Sequence, residues 1–351
     1  MVIIMAGLKE YLIRRVITFI PTIIGVTIIV FLIANIIPAD PARAWAGGER
    51  ARPEVIERIR KMYHLDEPWY IQYIFVIRGI INYFINPNHE GALVDPLTSR
   101  YVFDDIFLRF PTTLQLAIFA EIFILAIGIP LGLISALKKD TLLDTFVRIF
   151  ALVGVSLPIF WIGYIFIWIF FTNLGWTTLA GVPVPKCYET GTCPITTHVP
   201  LFDAIFAGEF DTLMQIIKRF WLPGLTLGLG AAGVLARIVR NSFLDALNSD
   251  FIEFAKAKGL PRRWIWRHAL KNALVPIITV IGLQFGGLLG GAVITETVFG
   301  LPGIGRYAVN AISNLDMPAV IGSTLLFSFL YVLVNLVVDI TYSIIDPRIR
   351  Y

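Results

Sequence analysis

The sequence predicts an all-α, polytopic membrane protein with six transmembrane helices, and three observations carry that expectation. Of 351 residues, 57% are hydrophobic and only 15% charged, against about half and about a quarter in a soluble domain. Six apolar runs approach the roughly 20 residues that cross hydrocarbon. The basic residues also alternate between connections. Segments 1–15, 138–148, 237–272 and 346–351 hold 16 Lys and Arg in 68 positions, whereas 38–110, 173–220 and 296–318 hold 13 in 144. Basic residues resist translocation, so the first set is expected in the cytoplasm with both termini, and the second outside.

The elements follow in order. The first run, Val16 to Ile37, is followed by Pro38 with no small-residue cleavage site, so it reads as a retained span after a short tail, together residues 1–37. Residues 38–110 exceed ordinary loop lengths and are expected to form a mainly helical exterior insertion. Within it, Pro53 to Leu65 reads as an amphipathic helix with Ile56, Ile59 and Met62 or Tyr63 on one side. Trp69 to Ile85 is almost long enough to cross, but Arg78 near its middle would cost about 2.5–3.5 kcal/mol. An extra span would also invert the basic pattern, so this helix is expected on the outer surface with its Trp and Tyr rings at headgroup depth.

Residues 111–172 hold the second and third spans, Leu114 to Leu137 and Ile149 to Thr172. The exterior loop 173–220 contains "CYETGTC". Outside the cytosol a disulfide persists, and Gly191 lets the chain turn back, so a Cys187–Cys193 bridge is expected; two free thiols are the alternative. With His198 the pair still falls short of four metal ligands. Residues 221–351 hold the last three spans, Trp221 to Ala236, Ala273 to Thr295 and Ala319 to Val338, and a basic connection, 245–275.

Several functions are excluded by what the chain lacks. It has no G-x-x-x-x-G-K-[ST] phosphate loop, no H-E-x-x-H and no G-x-S-x-G, and its four histidines (His64, His89, His198, His268) fall outside the spans. No enzymatic centre, metal or cofactor is therefore expected. The net charge of +4 reflects topology, so nucleic acid is not an expected partner. Only Glu121 and Asp339 are ionisable within the spans, fewer than proton-coupled carriers generally carry along a path.

The connection "DFIEFAKAKGLPRRWIWRHALKNALVP", residues 250–276, is the unusual feature. Asp250 with Glu253 suits a capping box, Lys256 and Lys258 suit a helix C-terminus, and Gly259 suits a left-handed stop with Pro261 opening the next helix. The expected helix, Phe251 to Lys258, is about 12 Å long and too short to hold in isolation. Phe251, Phe254 and Ala255 share a face suited to a partner's groove. The other reading is a basic helix resting on anionic headgroups.

This stretch resembles the cytoplasmic EAA loop of ABC-transporter permeases, in the form found in dipeptide, oligopeptide and nickel importers. So do "YLIRRVITFIPTIIGVTIIVFLIANIIPADPA", "IGIPLGLISALKKDTLLD", "SLPIFWIG", "ITETVFGLPGIGRYAVNAI" and the terminal "DPRIRY", together spanning nearly the whole chain. The resemblance implies the type I importer permease fold in the cell membrane. It implies four partners besides the bilayer: a second homologous permease, two cytoplasmic ATPase subunits and an exterior solute-binding protein. It makes the short helix a coupling helix, with Glu253, Ala255, Ala257 and Gly259 on the motif and Phe251 and Phe254 as anchors. Phe254 replaces the first alanine of the general motif, and "LKN" stands where many sugar permeases have Leu-Pro, which points to the peptide-type branch and away from maltose-type systems; the resemblance favours short peptides as solute, with oligosaccharides or nickel chelates as the alternatives.

Two further regions are expectations. Gly282, Gly286 and Gly290, with Gln284, form a small-residue face expected at the interface with the second permease, or else packed within one subunit. Thr295 to Arg306, including Glu296, Pro302, Gly303 and Arg306, is expected as an outer gate of irregular backbone at a water-filled mouth, or else as an ordinary connection. A self-sufficient secondary carrier is the competing class, for which inverted repeats would be expected.

Overall fold

The computed structural model describes residues 17–33, 40–46, 48, 51–86, 88–96, 98–179, 181–290 and 292–345. The segments 1–15 and 346–351, with which the cytoplasmic termini were argued, and residues 34–37 of the first run lie outside the described residues. In chain order the helices are α1 (Ile17–Ile33), α2 (Pro41–Trp45), α3 (Pro53–Met62), α4 (Trp69–Ile85), α5 (Val102–Leu137), α6 (Leu142–Ser156), α7 (Ile159–Phe166, continued by a π-helix Ile167–Asn173), α8 (Lys186–Thr190), α9 (Pro200–Phe206), α10 (Phe210–Leu247), α11 (Asp250–Ala257), α12 (Arg262–Leu289), α13 (Val293–Val298), α14 (Ile304–Ser313) and α15 (Met317–Ile345). Among the described residues there is no strand, only one bridge between Val94 and Tyr101.

Four helices, α5, α10, α12 and α15, are long and apolar enough to cross a membrane, and a fifth span is made if α6 and α7 count together. The described α1 is shorter, so the expected count of six is not reached among the described residues. The third run is not one rod: α6 and α7 are bent by 101° at Leu157 and Pro158. Proline disfavours helical backbone at the residue before it, and Leu157 is accordingly extended, with ψ 135°. Other boundaries also move. The second run starts at Val102 rather than Leu114, and the fourth covers Phe210–Leu247. The latter's 38 residues make about 57 Å of helix, against about 30 Å of hydrocarbon. Residues 102–110 and 210–220, expected in exterior connections, thus prolong spans. Several of their charged groups are paired within the protein: Arg109 with Asp105 at 2.7 Å, and Arg219 with three backbone carbonyls.

The described residues divide into two compact units. The first contains residues 112–301 and 331–345, with α10 at its centre. Facing α5, an added Cβ on Gly132 would stand 2.6 Å from the Ala236 carbonyl oxygen and from Val239 Cβ, and one on Gly224 2.7 Å from Phe119 Cβ. Small residues let helices pack backbone to backbone where no water drives association. Gly132→Val is therefore expected to cost about 1–3 kcal/mol or more through overpacking, read as a lowered melting temperature of the detergent-solubilised transporter. On α12, which packs against α10, a row of Ile265, Ala269, Ala273 and Ile277 at four-residue spacing is buried. Pro276 sits inside α12 without ending it.

The second unit contains residues 17–111 and 302–330. Thr27 and Tyr73 hydroxyls join α1 to α4 at 2.7 Å, and Phe31 packs edge-on against the Tyr73 ring. The expected amphipathic helix is α3, which ends at Met62 because His64 adopts φ 54°. Its core gathers Tyr83, Leu93, Val102, Ile106, Ile304 and Ala319. Asp95, Asp105 and Asp316 are buried in the same unit, facing Tyr63, Tyr307 and Arg109. Burial, then the charge of Asp95, pushes the Asp316 carboxyl from 3.8 up to about 7. A carboxyl whose pKa is raised on folding adds stability that is complete below its unfolded pKa and lost as pH rises through the folded one. Amides of α14 are thus expected to show higher protection factors at pH 5 than at pH 8 in hydrogen exchange, and Asp316→Asn should remove the difference.

Candidate functional site

The stretch between α10 and α12 folds as a separate short helix, α11, followed by a tight stop. Ser249 precedes α11 in extended conformation without a side-chain cap; its hydroxyl donates instead to the Ala246 carbonyl at 2.5 Å. The expected capping box from Asp250 and Glu253 is thus replaced by a start one residue earlier, with both acids inside the first turn, where the helix dipole favours them. At the other end the Gly259 N–H donates to Lys256 O at 2.9 Å and the Leu260 N–H to Ala255 O at 3.2 Å. This is the Schellman pattern, and Gly259 meets its demand with φ +75°. Pro261 then precedes α12, which starts at Arg262 rather than at the proline.

This short helix has two apolar faces, not one. Ile252 and Ala255 are buried, and α11 packs on α12. Phe251 and Phe254 point the other way, 41% and 61% exposed. Ala255 therefore leaves the expected docking face and joins the inward one, while Glu253, Ala257 and Gly259 are exposed beside the phenylalanines. The Lys258 ammonium sits 4.4 Å from the centre of the Phe254 ring, and the Arg267 guanidinium stands over Trp264 at 5.3 Å. Ile252 was missed because the i, i+3, i+4 pattern of the two phenylalanines is the louder signal; the pair Ile252 and Ala255, also three apart, carried the inward face.

The glycine face of α12 is occupied by the same chain. A Cβ at Gly282 would come within 1.9 Å of Val338 Cγ2, and one at Gly286 within 3.2 Å of Tyr331, both on α15. Gly282 and Gly286 are thus engaged in packing within the subunit, the other of the two readings, and only Gly290, at the end of α12, remains exposed. Gln284 donates to the Ala231 carbonyl at 3.0 Å, joining α12 to α10.

The gate region is more ordered than expected. Glu296 lies on α13, fully buried, and accepts a hydrogen bond from the Thr113 hydroxyl at 2.7 Å. The turn after it places Phe299 and Leu301 in the core of the first unit beside Leu116 and Phe220, so these two do not line an open mouth. A fully buried Arg219 donates to the carbonyls of Gly181 (2.7 Å), Thr178 (3.1 Å) and Phe299 (2.9 Å), fastening the connection before α8 to this turn. In the second unit Pro302 and Arg306 are exposed and Gly303 is buried. Arg219 was passed over because "KRFW" reads as the charged edge of a span. Cys187 and Cys193 are bridged, and Glu209 accepts from the amides of Lys186 and Cys187, both at 2.8 Å, so the stapled loop is also held at the start of α10.

Long apolar helices, two of them joined by a short helix with exposed Phe251 and Phe254, make this a polytopic membrane protein. Residues 128–351 match the family model described as binding-protein-dependent transport system inner membrane component, and residues 8–117 match the model of its N-terminal part. The dipeptide transport system permease protein of Alkalihalophilus pseudofirmus is 41% identical over 345 residues, 97% of this chain and 99% of that protein. The di/tripeptide transport system permease protein of Pseudomonas aeruginosa is 38% identical over 344 residues, and the glutathione transport system permease protein of Escherichia coli 36% over 344, each over 97% of this chain and 99% of the relative. The chain belongs to the binding-protein-dependent transport system inner membrane component family. It is a multi-pass inner-membrane permease of an ABC importer and not an enzyme, in a family that works with ATPase subunits and solute-binding proteins.

Proposed function

We propose that this permease forms half of the passage for short peptides and that α11 is its coupling helix, with Phe251 and Phe254 seated in a cleft of an ATPase subunit. The observation that carries the reading is the division of α11. Ile252 and Ala255 hold it to the chain, which leaves two large aromatic rings exposed on a short helix. Rings of this size without cover are ordinarily buried against something, and movement of α11 would be transmitted along the continuous α12 into the membrane. Both termini, 138–148 and 237–272 would lie in the cytoplasm, with six spans, as the basic residues argue.

In this reading the full transporter contains a second homologous permease, two ATPases and an exterior binding protein. With Gly282 and Gly286 engaged by α15, the second permease would meet the exposed side of α12 at Leu283, Gly287 and Gly290. The outer gate would be the turn after α13, its backbone held by Arg219 and its helix by Glu296. Peptides are favoured as solute because the relatives are named for dipeptides, di/tripeptides and glutathione.

The test is reconstitution with the partner subunits in proteoliposomes. Uptake of a labelled dipeptide should require ATP inside the compartment corresponding to the cytoplasm and the binding protein on the other side. Uptake by this chain alone on an ion gradient would overturn the reading in favour of a secondary carrier. Mass spectrometry of the ligand that co-purifies with the binding protein would identify the solute; an oligosaccharide or a nickel chelate there would overturn the peptide assignment.

A further inference from the structure

A cavity of about 390 Å³ lies between α6 and α10, in the first unit. The two helices run in opposite directions and touch closely where Gly154 meets Gly230 and Ala151 meets Gly233. Beside this contact the wall is apolar, formed by Leu152, Val155 and Val234, and toward the α5–α6 connection it is basic, formed by Arg148, Arg237 and Arg240. From residue 148 to residue 155 the helical rise is about 10 Å, so the cavity combines a basic end with an apolar channel one short acyl segment long.

The charges at the basic end do not cancel. Asp144 is its only acid among the described residues in contact with these arginines, and its oxygens are already taken. They accept from Arg240 Nε at 2.7 Å and Nη2 at 2.9 Å, from the Ser135 hydroxyl at 2.5 Å and from the Asp140 amide at 3.1 Å. Arg148 stands 3.7 Å from Asp144 and is half exposed. Arg237 is exposed and makes no hydrogen bond or ion pair among the described residues. Three guanidinium groups stand against the Asp144 carboxylate and that of Asp140, whose charge also acts on Arg240, which leaves one positive charge at the mouth. Lys138 and Lys139 in the adjoining connection add to the same field.

The depth is also defined. Arg240 is clamped to Asp144, and Asp144 lies in the first turn of α6, directly after the polar connection 138–141. On the membrane reading above, the arginines would stand where hydrocarbon gives way to headgroups, and the apolar wall would run from them toward the bilayer interior. Basic pockets between membrane helices at this depth suit anionic lipid headgroups.

We propose that this cavity is a binding site for an anionic phospholipid, whose phosphate is met by Arg148 and Arg237 while one acyl chain lies along Leu152, Val155 and Val234. Arg240 belongs to the protein's own ion pair and sets the floor of the site. The proposal rests on the membrane reading above, with the α5–α6 connection at the cytoplasmic leaflet, but not on the identity of the solute.

The experiment is native mass spectrometry of the whole transporter, purified with its partner subunits and offered phosphatidylglycerol and phosphatidylcholine at equal concentration. The wild type should retain phosphatidylglycerol over phosphatidylcholine by about tenfold or more, since each basic group near a lipid surface contributes about 1 kcal/mol. Arg148→Gln combined with Arg237→Gln should bring the ratio near one at unchanged melting temperature. If that double variant does not fold, Arg237→Gln alone, at an exposed and unpaired position, should lower the ratio severalfold. Equal retention of the two lipids by the wild type, as expected if a protein helix covers the cavity, overturns the proposal, and so does an undiminished preference in the variants. Uptake of labelled dipeptide is measured separately, so a transporter that selects the lipid but fails in ATP-driven uptake speaks against the transport reading alone.

Discussion

Phe254→Asp is expected to lower ATP-driven uptake by tenfold or more while the permease inserts, folds and melts as the wild type does. The physical basis is the division of α11. The Phe254 ring is 61% exposed, so within this chain its removal leaves no cavity and strands no charge; Lys258, whose ammonium stands over the ring, is itself exposed. In an ATPase cleft the same ring would contribute about 1.5–3 kcal/mol of buried apolar surface, and an aspartate there would add a desolvation cost. Ile252→Asp supplies the contrast. Ile252 is fully buried, so a carboxylate at that position should lower the melting temperature and the yield of the permease itself. Uptake, ATPase pull-down and thermal melting on both variants separate the two faces. Normal uptake with Phe254→Asp would show that the exposed face of α11 is not where the ATPase is engaged.

The second large effect is expected at Asp144. This carboxylate is fully buried, and its oxygens hold Arg240, Ser135 and the Asp140 amide, so that α5, α6 and α10 meet on one residue. Asp144→Ala would leave a mostly buried guanidinium, 15% exposed, without its counter-ion. Removing one partner of a buried pair costs about 3–5 kcal/mol, enough to abolish much of the folded population of a marginally stable protein. The measurement is the melting temperature and yield of the detergent-solubilised transporter. The double replacement Asp144→Asn with Arg240→Gln should recover part of the loss, because no unpaired charge then remains. A melting temperature unchanged in Asp144→Ala would contradict the assignment of this pair as a structural tie.

What was legible in the sequence was whatever depends on near neighbours. The stop after α11 was readable because Gly259, followed by Pro261, admits few other backbones, and the left-handed glycine occurs there. The extent of α5 and α10 was not readable, since both continue through charged residues such as Arg109 and Arg219, and Arg219 is satisfied only by carbonyls far along the chain. The bend between α6 and α7 stands at a proline, but its 101° angle does not follow from proline alone.

The sequence by itself determined the membrane solvent, the approximate placing of the apolar runs and the presence of an exposed helix between α10 and α12. These rest on composition and on periodicities of two to seven residues, which local backbone physics imposes. Only the tertiary structure decided that Ala255 faces inward with Ile252 rather than outward with Phe254, that Gly282 and Gly286 meet α15 of the same chain, and that Arg219 and Asp144 are buried ties. Each of those depends on which distant backbone or side chain arrives beside the residue, and a pattern of neighbours a few positions apart carries no record of that arrival.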